Sequence, residues 1–239
     1  MFARIAAVVL VGASAVTAAD TPPKISLSIP EPFNVRISTR QFRKEQVILA
    51  EPAYARMTAL ASFMEYSGCF GDPKADQDHF HGWNVAVYRA LSQKTVAAYT
   101  SARDGYEANL TECPEFLGCG DTSYMFARFE RKHFQWGDAV SFLSQFTQDT
   151  GVYVPHNGHL TYEVWGFTRD HRFTVVARVS VSHPKLAGWV AKTPELRDAR
   201  SLEALKKDKD YKRVERCSPN EFEPSLTTFD QMLDSLVIR

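Results

Sequence analysis

Most of the signatures by which a chain announces its chemistry are missing from these 239 residues. There is no Gly-x-Gly-x-x-Gly and no Gly-x-x-x-x-Gly-Lys, so neither a dinucleotide fingerprint nor a P-loop is expected. No Gly-x-Ser-x-Gly elbow presents a serine nucleophile. No His-Glu-x-x-His places two imidazoles on one helical face with a base between them. An excess of one charge is missing too, since 28 Lys and Arg balance 28 Asp and Glu. A nucleic-acid binder carries a basic excess or stripe, so nucleic acid is not an expected partner. The densest charge run, Lys206 to Arg216, alternates in sign and reads as a solvated helix face.

Long apolar runs are scarce. Ile5 to Val16 is apolar, follows a cation at Arg4 and ends in the small residues Thr17-Ala18-Ala19 before Asp20. That is the three-part pattern of a cleavable secretory signal peptide. The run is too short for a helix spanning a bilayer core of about 30 Å, which takes roughly 20 residues. Residues 1–19 are therefore expected to be removed, with cleavage after Ala18 as the alternative, and no permanent membrane anchor is expected. The mature chain is expected to begin at Asp20 and to be exported, either periplasmic or secreted. Its 239 − 19 = 220 residues form a single domain, 20–239, large enough to bury its own core.

Cysteine is sparse. The four are Cys69, Cys113, Cys119 and Cys217, an even number bound for an oxidising compartment, which makes disulfides the default. Cys113 and Cys119 bracket a segment able to turn tightly, so they are expected to pair, leaving Cys69 to Cys217. A zinc site on these cysteines is not expected without a Cys-x-x-Cys pair. Cys69 could serve as a thiolate nucleophile only if it were left unpaired.

Periodicity supplies what motifs do not. Ile25, Leu27 and Ile29 alternate with polar residues as in a half-buried strand, and a second strand is predicted near Asn34 to Ser38. Pro52 is predicted to open a helix carrying Met57, Leu60, Ala61 and Met64 on one face and stopping at Gly68. Trp83 to Leu91 reads as a strand, Gln93 to Leu110 leans towards helix, and Tyr124 to Phe134 reads as a strand although Phe126 and Phe129 fit neither period. Asp138 is predicted to cap a helix through Val140, Phe142, Leu143 and Phe146 to Gly151.

Leu160 to Ser182 carries the clearest pattern, two alternating strands around Thr168-Arg-Asp-His171, an antiparallel hairpin stopped by Pro184. A charged helix follows from Ser201. Ser218-Pro219-Asn220-Glu221 is a capping box, and Phe222, Leu226, Phe229, Leu233 and Leu236 form an apolar stripe beyond it. Strands and helices mix without regular βαβ alternation, so the predicted fold class is α+β: an antiparallel sheet with flanking helices, a sandwich in one domain.

The hairpin, the charged helix and a last amphipathic helix ending Leu233-Asp-Ser-Leu-Val-Ile238 resemble the close of PsbP-like domains. The resemblance covers about a third of the chain, and it implies an α/β/α sandwich used for binding or assembly, with no shared catalytic residues.

Two sets of residues are candidates for function. Asp76, Asp78, His79 and His81 form the best metal cluster, because His79 and His81 project to the same side of an extended segment and a nearby carboxylate completes three ligands, suited to zinc. His156-Asn-Gly-His159 is a second, poorer cluster. Trp165 and Phe167, on the wetter face of the hairpin, form a candidate partner-binding anchor. The leading expectation is an exported binding or interaction module without enzymatic activity or cofactor. It would neutralise or assemble with a protein partner. The alternative is a metal-dependent hydrolase built on the Asp76 to His81 cluster, with zinc as the cofactor.

Overall fold

The computed structural model of the chain describes residues 23–33, 38–41, 62–69, 82–89, 123–147, 154–186 and 202–239. In chain order the strands are β1 (Ile25–Ser26), β2 (Ser38–Gln41), β3 (Ser62–Cys69), β4 (Gly82–Arg89), β5 (Ser123–Phe134), β6 (Gly137–Thr147), β7 (Leu160–Thr168) and β8 (Phe173–Ser180). Helices α1 (Leu202–Lys207), α2 (Lys209–Arg216) and α3 (Leu226–Asp234) follow, and β9 (Val237–Ile238) comes last. β2 to β8 make one antiparallel sheet of seven strands in the order β2-β3-β4-β8-β7-β6-β5, while β1 and β9 pair separately. The fold is α+β, as the mixed periodicities imply.

The predicted hairpin is the centre of the sheet. β7 and β8 pair from Thr161 with Ser180 to Phe167 with Thr174, and β6 and β4 flank them. Tyr162, Val164, Val175, Ala177 and Val179 bury one face against α3. On that helix Leu226, Phe229, Met232 and Leu233 share the buried stripe. Two indoles tie the layers at their polar atoms: Trp136 Nε1 donates to Leu233 O at 2.9 Å and Trp83 Nε1 to Phe33 O at 3.0 Å. The opposite sheet face is also buried, with Ala86, Phe126, Val140, Phe142, Trp165 and Val176 below a tenth exposed.

Two predicted helices are strands. The segment capped by Asp138 is β6, pairing with β5 on one side and β7 on the other. Its apolar residues alternate between two buried faces, Ala139 and Leu143 on one, Val140 and Phe142 on the other, so their sum mimics helical spacing. The end of the helix predicted from Pro52, including Met64 and Gly68, is β3, which pairs with β4 along its length.

β5 explains the pattern that fitted no period. Its pairing with β6 shifts between Ala127 and Glu130, and Arg128 sits at φ 59°. The bulge puts Phe126 and Phe129, three apart, on one face, where both rings meet Phe142 at 5.7 and 5.0 Å.

The charged helix is broken in two, with Asp208 capping α2 through Asp210 N and Tyr211 N. The capping box is present, but it closes a single 3-10 turn at Pro219–Glu221. Glu223 then pairs with Ser182 through two backbone bonds of 2.8 and 2.9 Å, and α3 starts afresh on a Ser225 cap. Among the described residues no helix is long and apolar enough to cross a membrane.

Candidate functional site

At one end of the sheet three chain segments wall an open cleft of about 530 Å³. They are the β5–β6 turn at Gln135 and Trp136, the β7–β8 turn from Arg169 to Arg172, and the last residues from Leu236 to Arg239. Each wall is fixed by bonds that the local sequence dictates. Trp136 is locked by its bond to α3 and by stacking on Phe134 at 5.1 Å and 9°. Gln135 is held by Asp234, which accepts its backbone N–H at 2.7 Å. The last residues are held by β1, since Lys24 and Arg239 exchange backbone bonds of 2.7 and 3.0 Å.

The β7–β8 turn is built by Asp170. Its Oδ1 accepts from the Thr168 hydroxyl at 2.6 Å and from Arg172 N–H at 3.0 Å, an Asx-type closure. Arg169 N–H bonds to Trp136 O at 3.1 Å, which joins the two turns. Burial alone would raise the Asp170 carboxyl, but the Thr168 hydroxyl, the Arg172 amide and the Arg172 charge outweigh it and hold the pKa below the usual aspartate value. Asp170 is thus ionised at neutral pH and already engaged, a poor general base.

The charge of the lining is one-sided. Arg169, Arg172 and Arg239 face one side-chain carboxylate, Asp170. The Arg172 guanidinium rides 5.6 Å above the ring of Phe173, which forms part of the apolar floor with Trp136, Leu236 and Ile238.

No protein-family model, no curated protein and no solved structure matches this chain.

The residues singled out in the sequence fall elsewhere. Asp76, Asp78, His79 and His81 lie outside the described residues, as do Cys113 and Cys119. Among the described residues no group of three His, Cys, Asp or Glu could hold a metal ion. His156 and His159 stack edge to face at 5.5 Å, and His156 Nδ1 lies 2.9 Å from Asn157 O. Cys217 is a free thiol in this structure. Cys69 ends β3 and Cys217 follows α2, which packs on β5 at the far edge of the same sheet. Five strand-to-strand steps separate β3 from β5, each about 4.8 Å, whereas bridged Cα atoms lie within about 7 Å. The expected bridge between Cys69 and Cys217 is not formed here.

Trp165 is no exposed anchor. It is 6% exposed, its Nε1 donates to Glu163 Oε2 at 2.9 Å, and Arg178 stacks on its ring at 5.3 Å. Glu163 also accepts from Ser144 at 2.6 Å and Arg178 at 2.9 Å, so the indole belongs to a buried polar network. Phe167 is half-buried and tilts against His171 at 6.3 Å. The cleft arginines had no signature in sequence, because no spacing rule links positions 169 and 172 to 239.

Proposed function

We propose that this chain is an exported binding module that takes an anionic group of its ligand or partner into the cleft at the end of the long hairpin. One observation carries the reading: Arg169, Arg172 and Arg239 line a single cleft beside the rings of Trp136 and Phe173. Guanidiniums next to aromatic surface suit recognition, because they supply planar forks of donors for oxyanions while the rings bury apolar area. Asp170, held below its usual pKa and bonded within its own turn, closes the hairpin and leaves the cleft to bind. The signal-peptide pattern of residues 1–19 supports export to the periplasm or beyond. The likeness of the closing third to PsbP-like domains, which serve binding or assembly, points the same way.

Affinity capture from the envelope fraction tests the reading, using the wild type and an Arg169→Glu, Arg172→Glu double variant. A stoichiometric partner retained by the first and lost from the second supports it. Equal capture by both defeats it, and so does turnover of ester or peptide substrates that depends on tightly bound zinc. That second result would favour the hydrolase on the Asp76 to His81 cluster.

A further inference from the structure

The volume and charge of the cleft together narrow what it can hold, on the assumption that it is the binding site. Its side chains bring three guanidiniums, of Arg169, Arg172 and Arg239, and one carboxylate, of Asp170. A single carboxylate carries one charge and offers two oxygens to three guanidiniums. A phosphate monoester carries about −1.5 to −2 at pH 7 and three terminal oxygens, one for each guanidinium. Bare inorganic phosphate leaves the rest unexplained. About 530 Å³ falls within the range of roughly 300–1,000 Å³ typical of sites for small organic ligands. Apart from Gln135 and Thr168 the remaining lining is apolar, and its floor is fixed: Trp136 and Phe173 are each 7% exposed and Leu236 is 2% exposed.

We infer that the cleft binds a phosphate monoester with an apolar or aromatic body, the phosphate among Arg169, Arg172 and Arg239 and the body against Trp136 and Phe173. Arg172 is already placed for this, since its guanidinium lies over the Phe173 ring and so sits at the boundary between the anionic and apolar halves. The turn holds its shape through Thr168, Asp170 and backbone amides. Truncating the arginine side chains therefore removes charge without removing the bonds that shape the turn.

Calorimetry on the full chain at low salt tests the assignment, with phenyl phosphate, inorganic phosphate and phenol as probes. Phenyl phosphate is expected to bind at least tenfold more tightly than either fragment. Arg169→Ala with Arg172→Ala should weaken it at least tenfold while the protein still melts in one cooperative transition, and the exposed Lys212→Ala should leave it unaltered. Co-sedimentation with phosphatidylcholine vesicles containing phosphatidic acid separates a lipid headgroup from a soluble ester, and the site stands with either source. No binding of phenyl phosphate, or equal affinity in the double arginine variant, overturns the assignment. If the charge-reversed protein still loses its partner in that case, the ligand class alone is wrong. If partner capture is also indifferent to the arginines, the binding role of the cleft goes with it.

Discussion

The hydroxyl of Tyr162, near the start of β7, donates to Asp230 of α3 at 2.9 Å, and Lys132 of β5 closes on the same carboxylate at 3.0 Å. Glu130 holds Lys132 from the other side at 2.7 Å. One carboxylate thus fastens the last helix to two strands at the edge of an apolar core. Tyr162→Phe keeps the ring against Phe229 and removes one partner from a half-buried charge. The expected loss is about 1–3 kcal/mol, measured as a lower urea midpoint with the slope unchanged. Stability equal to the wild type would show that Lys132 alone satisfies Asp230.

The same site sets a limit at high pH. Burial pushes Tyr162 above the ordinary tyrosine value of 10.0, and Asp230 and Glu130 push it the same way. Tyr211, whose hydroxyl bonds to Phe126 O at 3.0 Å, is raised by burial and by Glu215. For Lys132 burial acts downwards, but its bonds and charge interactions with Glu130 and Asp230 prevail and raise it above 10.5. All three groups keep their protons in the folded chain at a pH where the unfolded chain has released them. Their contribution is complete below the unfolded values and is lost as pH climbs from about 10 towards the folded ones, by about 1.4 kcal/mol per pH unit for each group. The melting temperature should fall steeply above pH 10, and less steeply in Tyr162→Phe. A flat profile to pH 11 would contradict the burial of these hydroxyls.

How far the fold was legible depended on how many faces each strand buries. β7 and β8 were readable because polar Thr161, Thr174, Arg178 and Ser180 interrupt the apolar positions. β6, buried on both faces, reads as a helix until its partners are known. β5 hides behind a bulge at Arg128, which shifts the face by one residue. The cleft was illegible for a different reason. Its walls come from two hairpin turns and the final strand; a backbone bond between Arg169 and Trp136 joins the turns, and backbone bonds with Lys24 hold Arg239 against β1. No side-chain pattern reports those bonds.

Gly166 lies where β6 and β7 approach closely, as does Gly137, whose added Cβ would stand 1.8 Å from Phe167 O. A Cβ at Gly166 would stand 2.4 Å from Asp138 O and 2.6 Å from the Ala139 Cβ, and the backbone atom cannot swing aside. Gly166→Ala must push the two strands apart beside Trp165. A loss of about 2–3 kcal/mol is expected, in the upper range for single substitutions, with a chemical-shift change at the Asp138 and Ala139 amides. A neutral substitution would mean that the strands part freely.

His171 is held in the left-handed region at φ 56°, in the turn that bears the cleft arginines. A residue with a Cβ pays roughly 1–2 kcal/mol for that conformation, and glycine does not. The ring is exposed and touches Phe167 at its edge, so little packing opposes the change. His171→Gly should therefore be neutral or stabilising by up to about 1 kcal/mol, offset in part by the greater freedom of glycine in the unfolded chain. His171→Val, β-branched, should be destabilising. Thermal melts of the two variants decide it, and the opposite order would show that the turn is shaped by the His171 ring rather than by Asp170.

Cys217 stands where two influences compete. Burial raises its thiol above the ordinary value, and the nearby Arg128, with Nη1 at 3.9 Å from Sγ, pulls it down without prevailing. The S–H is turned to Val214 O at 3.8 Å. Because the thiolate is the reactive form, iodoacetamide at pH 7 should label Cys217 at least tenfold more slowly in the native protein than after unfolding in urea. No reductant should be required for the unfolded chain to react. Peptide mass spectrometry reads both points: an unlabelled Cys217 that yields only after reduction would show it bridged, while rapid native labelling would mean that Arg128 outweighs burial and makes this thiol a nucleophile.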